Sequence, residues 1–145
     1  MKLSVVSGGF DPIHSGHILY LEAASKLGDK LIVALNSDEW LANKKGKFFM
    51  PFNERKKIIE NLQMVDEVIG FDDDQSGSCI NALEEIKSKY KDDEIIFCNG
   101  GDRNDGNIPE MAVSGIKFEF SVGGDNKANS SSSVSYTHLR AHETR

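Results

Sequence analysis

Five short apolar runs rich in β-branched and aromatic residues punctuate the chain, and segments with helical spacing separate most of them. The runs are KLSVVS (2–7), KLIVALN (30–36), DEVIGF (66–71), EIIFCN (94–99) and IKFEFSV (116–122). Runs of this length, bounded by glycines and polar residues, read as buried strands. Between them, Ile18, Leu21, Ala24 and Leu27 share one helical face, with Gly28 as the stop. Asn53 stands as the N-cap of a helix carrying Ile58, Ile59 and Leu62. Ile80, Leu83 and Ile86 line a third helix over 79–90, and a short helix is expected near 108–114. This alternation predicts an α/β fold, a parallel five-stranded sheet with right-handed crossovers and helices on both faces. Ligands of such sheets bind beyond the carboxyl ends of the strands, so the loops after each run are where a site should lie.

With 145 residues and 39% hydrophobic composition, the chain suits a single domain, placed at 1–134, with polar loops at 72–78 and 123–133. The last stretch, SYTHLRAHETR (135–145), has no apolar periodicity and reads as a non-native or disordered tail. It resembles translated adapter sequence that ends some open reading frames, so His138 and His142 are set aside. Seventeen basic residues face 23 acidic ones, a net charge of −6, which argues against a nucleic-acid or anionic-membrane surface. The opening residues lack the apolar run of a signal peptide, and no stretch reaches transmembrane length. A cytoplasmic protein is expected. Cys79 and Cys98 lack metal-ligand spacing and should be reduced, with Cys98 buried in a strand.

The loop after the first run, GGFDPIHSGH (8–17), carries two of the four histidines. Gly8 and Gly9 are expected to approach a ligand closely and to take positive φ. A helix starting near Gly16 and His17 offers free amides and partial positive charge to an anion. His14 and His17, three apart, become neighbours where that turn is helical, and Gly16 leaves room between them. Together these residues read as a phosphate site with two imidazole donors. Ordinary capping or surface histidines are the alternative. A metal site is less attractive because no third ligand stands at a telling spacing. The loop also lacks the GK[ST] ending of a P-loop and the third glycine of a dinucleotide fingerprint.

His14-Ser15-Gly16-His17 matches the His-x-Gly-His signature of the cytidylyltransferase-like nucleotidyltransferases, and GGFDPIHSGHILYLEAASKLGDKLIVALNSDEW resembles their opening half. KKGKFFMPFNERKKIIENLQMVDEVIGF resembles their next segment, and the likeness runs from about Lys2 to Val134. The resemblance implies a Rossmann-like fold and transfer of a nucleotidyl group, CMP or AMP, from CTP or ATP to a small phosphorylated sugar or polyol. Pyrophosphate is released. It implies Mg²⁺ on the triphosphate, with Asp11 as a metal-side carboxylate, and a homodimer. It gives His14, His17, Lys44 and Arg55 catalytic roles, and places Gly8, Gly9, Phe10, Asp11 and Gly16 at the nucleotide.

Lys44, Lys45 and Lys47 sit in NKKGK, read as a loop able to close over phosphates or as a plain solvated one. By resemblance Lys44 matches a catalytic lysine of the glycerol-3-phosphate cytidylyltransferases. The second lysine expected there falls on Gly46, so Lys45 or Lys47 must substitute. Arg55 matches the family's helix arginine, a bidentate phosphate contact or else a helix-surface residue. Asp102, in the Gly100-Gly101-Asp102 turn, resembles a position of the heptose-phosphate adenylyltransferases and should lie near nucleotide or acceptor. Ser130, Ser131 and Ser132 align with a Ser-Thr-Thr segment that presents hydroxyls and amides to phosphates. Their composition alone reads as a linker. Asp125 stands where cytidylyl members carry arginine, and the family's final helix has no counterpart. Trp40, Phe48 and Phe49 read as packing residues. Cytidylyl transfer is placed ahead of adenylyl transfer, and a non-catalytic nucleotide-binding domain is the reading of another class.

Overall fold

The computed structural model describes residues 1–71, 78–100, 110, 113–120, 122 and 123. Five parallel strands, β1 (Lys2–Gly8), β2 (Lys30–Leu35), β3 (Glu67–Gly70), β4 (Glu94–Cys98) and β5 (Lys117–Glu119), form one sheet in the order β3-β2-β1-β4-β5. β1 is central: Val5 lies opposite Ile32 of β2 on one side and Phe97 of β4 on the other. Period-two alternation splits each inner strand between two cores. Leu3, Val5, Ile32, Ala34, Ile95 and Phe97 face α4 (Ile80–Lys89), whose Leu83 and Ile86 fill that side. Val6, Leu31, Val33, Leu35, Ile96 and Cys98 face the other way, against Leu21 and Ala24 of α1 (Ser15–Ser25) and Ile59 of α3 (Phe52–Glu60). Helices therefore cover both faces of an α/β sheet.

Four local expectations are corrected. α1 ends at Ser25 with Lys26 as its cap, so Leu27 falls outside the buried face. Gly28 serves close packing, because a Cβ there would lie 2.7 Å from Ser4 Oγ and 3.0 Å from the Lys2 carbonyl. α3 begins with Pro51 at the N-cap, which places Asn53 inside the first turn. Lys44 and Lys45 do not belong to a loop: they form the last turn of α2 (Asp38–Lys45). That helix is started by Ser37, whose Oγ accepts from the Trp40 amide, and stopped by Gly46 at φ 86°. Only Leu41 of α2 is buried, so the helix shows no apolar stripe in sequence.

The carboxyl end of α4 is tied to the sheet's β3 edge through Glu67, which accepts from Lys89 Nζ at 2.6 Å and from Tyr90 Oη at 2.5 Å. Its amino end is closed by Glu110, whose Oε2 accepts from the Cys79 amide at 2.9 Å. Most of the expected 108–114 helix, the 134/135 domain boundary and the 135–145 tail lie outside the described residues. Cys79 and Cys98 are both buried and form no disulfide, and burial pushes the Cys98 thiol up to about 12. No helix among the described residues is long and apolar enough to cross a membrane.

Candidate active site

β1 and β4 are neighbours, with β2 beyond β1 and β5 beyond β4, so the strand order reverses between them and their carboxyl ends mark the topological switch point where ligands of such sheets bind. The histidine loop leaves β1 at that position. His14 is the N-cap of α1 in extended conformation, and its Nδ1 accepts from the Gly16 amide at 3.1 Å. His17 Nδ1 in turn accepts from the His14 amide at 3.1 Å, which closes a reciprocal capping box. The two rings stack with centroids 3.8 Å apart and 24° between planes. Burial depresses both imidazoles, and His14 beside it helps bring His17 down to about 4. Both are therefore neutral at neutral pH. A neutral ring whose Nδ1 accepts an N–H must carry its own proton on Nε2. The pair thus offers two Nε2–H donors with fixed tautomers, and the capping and donor readings of the sequence coexist.

The supports around the pair differ from expectation. Phe10 is buried, and its ring edge meets His17 at 4.9 Å between centroids. Its ring backs the imidazole from the core side, which gives the Phe10 side chain a packing role. Phe10 also takes the positive φ, at 50°, that was expected of the glycines. Gly8 and Gly9 stand in crowded ground: a Cβ on Gly8 would lie 2.9 Å from the Phe10 ring, and one on Gly9 would lie 2.6 Å from a Leu41 methyl. The Asp11–Pro12 bond is cis. Gly16 is buried in the first turn of α1.

Asp11 is engaged on both oxygens. Oδ2 accepts from the Phe49 amide at 2.5 Å, and Oδ1 from the Met50 amide at 2.6 Å. Lys45 Nζ reaches the Asp11 carbonyl at 2.9 Å and lies 3.4 Å from Oδ2. Burial pushes the Asp11 carboxyl up, but the two amides and Lys45 outweigh it and hold it below its ordinary value. No group of three or more His, Cys, Asp or Glu side chains that could hold a metal occurs among the described residues. With its side chain only 1% exposed and both oxygens accepting amides, Asp11 does not fit as a direct ligand to Mg²⁺.

Arg55 is the largest departure. Its side chain is fully buried, neither a phosphate contact nor a helix-surface residue. Nε donates to the Met50 carbonyl at 2.9 Å, Nη1 to the Gly9 and Asn36 carbonyls at 2.9 and 2.8 Å, and Nη2 to Asp38 Oδ1 at 2.6 Å. The planar fork knits together the loops after β1 and β2, the start of α2 and the approach to α3. Lys44 stays at the rim with its Nζ 4.7 Å from the centre of the Trp40 ring, so the lysine that reaches the histidine loop is Lys45. Phe48 and Phe49 are not packing residues, being 40% and 74% exposed. Asp102, Ser130, Ser131 and Ser132 lie outside the described residues. Asn36 and Asp38, unremarked in sequence, join the site as partners of Arg55. Ser37 followed by two acidic residues, with Gly46 beyond, was the signal for the helix that carries Asp38.

A sequence profile described as cytidylyltransferase-like matches residues 5–117, most of the chain. The bifunctional protein HldE of Actinobacillus succinogenes is 39% identical over 113 residues, covering 70% of this chain and 24% of HldE. HldE of Haemophilus ducreyi is 39% identical over 117 residues, 76% of this chain and 24% of the relative. The chain thus spans about a quarter of the length of these curated relatives. Among solved structures, the lipopolysaccharide core biosynthesis protein of Thermoplasma volcanium superposes with a TM-score of 0.61 at 27% identity, covering 83% of this chain and 94% of that one. The nicotinic acid mononucleotide adenylyltransferase of Plasmodium falciparum, at 17% identity and TM-score 0.51 over 82% and 73% of the two chains, shares the fold.

Proposed function

The chain belongs to the cytidylyltransferase-like family, and from that premise we propose that it moves a nucleotidyl group from CTP or ATP to a phosphorylated sugar or polyol. An acceptor phosphate oxygen attacks the α-phosphorus, and the bond from that phosphorus to the bridging oxygen breaks. Pyrophosphate leaves with the electron pair. The acceptor is already ionised, so no general base is needed, and catalysis consists of in-line positioning and stabilisation of moving charge. The observation that carries this reading is the stacked imidazole pair at the N-terminus of α1, neutral and with each proton on Nε2. His14 and His17 donate to phosphate oxygens, and the α1 terminus adds its partial positive charge. Lys45, which reaches the histidine loop from the end of α2, supplies cationic charge there, and Lys44 keeps the catalytic role that the family resemblance gives it. Asp102 and the serines at 130–132 keep the nucleotide-side roles that the family resemblance gives them. Mg²⁺ would accompany the triphosphate and offset its charge, and Asp11, with both oxygens engaged by main-chain amides, would not hold it.

The acceptor class draws support from the Thermoplasma relative, which acts in lipopolysaccharide core biosynthesis. Adenylyl transfer is a second reading, favoured by Asp125 in place of the cytidylyl arginine and by the resemblance of Gly100-Gly101-Asp102 to the heptose-phosphate adenylyltransferases. A pyrophosphate-release screen crossing CTP and ATP with glycerol-, heptose- and choline-phosphates tests all of this. Release with one pairing identifies base and acceptor. Nucleotide binding without release in any pairing would make the chain a binding domain.

A further inference from the structure

The segment after α2 exposes its aromatic side chains, yet its backbone is held from two sides. Phe49 is 74% exposed and Phe48 40% exposed, so apolar burial alone does not fix the main chain at Phe49. The Met50 peptide is gripped at both ends instead: its N–H donates to Asp11 Oδ1 and its C=O accepts from Arg55 Nε. The neighbouring Phe49 N–H donates to Asp11 Oδ2, and Lys45 closes the group from α2. Arg55 is itself fixed to Gly9, three residues before the cis-proline at the turn into the histidines.

We infer that Asp11 is a positioning residue, a latch that holds the 45–50 segment, and Lys45 with it, against the loop bearing His14 and His17. Two acceptor oxygens 34 to 39 residues from their donors make a connection that neither segment could form alone. The chemistry requires a carboxylate. Asn presents one acceptor and one N–H₂ group, so Asp11→Asn sets a donor against a donor at Phe49 or Met50. The consequence for turnover rests on the nucleotidyl-transfer reading, whereas the latch itself does not.

Amide hydrogen exchange tests it. In the unmutated chain the Phe49 and Met50 amides should exchange roughly ten- to a hundredfold more slowly than those of exposed Lys47 and Phe48, as expected for hydrogen bonds to a charged acceptor. Uniform fast exchange across 47–50 overturns the latch, whether or not any variant folds. In Asp11→Asn, protection at Phe49 or at Met50 should be lost while β1 and β2 keep theirs, and protection retained at both amides overturns it. With an active nucleotide and acceptor pair, Asp11→Asn should lower kcat/KM about tenfold and leave the Mg²⁺ concentration for half-maximal rate unchanged. Activity restored by excess Mg²⁺ would make Asp11 a metal ligand and overturn the latch. A chain that releases no pyrophosphate ends the transfer reading, and the two amides still decide the latch.

Discussion

Arg55 and the His14–His17 pair stand at the same end of the sheet, and both matched a family pattern of phosphate contacts. Their surroundings treat them in opposite ways. Around Arg55, three backbone carbonyls and Asp38 absorb the guanidinium's hydrogen bonds, and the side chain is fully buried. Around the histidines, the backbone offers donors, so the rings accept at Nδ1 and their protons are pushed to Nε2. Carbonyl-lined ground turns a cation into a structural hub, and amide-lined ground turns an imidazole into a donor. Residue type alone does not separate these outcomes. The polarity of the nearby main chain does.

The strongest way to break the contrast is to remove the hub. Arg55→Met leaves Asp38 and three carbonyls without their partner and should cost about 3–5 kcal/mol of stability, read from urea denaturation. Arg55→Lys retains charge without the fork and should also lose stability, in contrast to a phosphate-contacting arginine, whose replacement would spare it. A stable Arg55→Met protein with impaired turnover would reverse the assignment.

On the histidine side the ordering is inverted. His17→Ala should lower kcat by roughly 10²–10³, the effect of losing one preorganised donor. Its stability cost, through the broken capping box, should be only about 0.5–2 kcal/mol. Full turnover in a folded His17→Ala protein would leave the pair as capping residues alone. His14→Ala should show a similar or smaller loss of turnover with a comparable loss of stability.

Acid titration gives a subtler discrimination. His17 is depressed from its ordinary 6.5 to about 4 by burial and by His14. The unfolded chain therefore binds a proton that the folded chain refuses, so the histidine contribution is complete above about pH 6.5 and is lost as pH falls toward 4. Urea midpoints at pH 7.5, 6 and 5 should decline in the unmutated chain and decline less in His17→Ala. Equal slopes would mean that the ring is not shielded as the structure indicates. The smallest effect belongs to Phe49→Ser, which should change stability by no more than about 0.5 kcal/mol because the exposed ring packs little.

Sequence legibility followed the same physical divide. The five strands were readable because each is a β-branched or aromatic run with a buried majority or a paired edge, and burial of a run is a local property of composition. The histidine turn was readable because capping is local as well. α2 escaped because a helix with a single buried leucine has no period to detect, although its Ser37 and Gly46 ends were in view. Arg55 could not be read at all. Its burial depends on carbonyls of Gly9, Asn36 and Met50, which meet only after three loops have closed. Phe10's left-handed φ and the glycines' crowding have the same long-range origin.

The strand order carries a consequence for how the chain is made. β3, β2 and β1 are contiguous in both sequence and sheet, and they bring Asp11, His14, His17, Lys45 and Arg55 with them. A ribosome therefore releases the histidine pair, the latch and the hub well before β4. Until then the far side of β1 is an open row of amides and carbonyls, the kind of edge that recruits foreign strands. Roughly two dozen residues separate the end of β3 from the start of β4, about one to five seconds of synthesis at typical rates. During that interval β1 is an unpaired edge beside the histidine loop, and β4 is the chain's own means of sealing it.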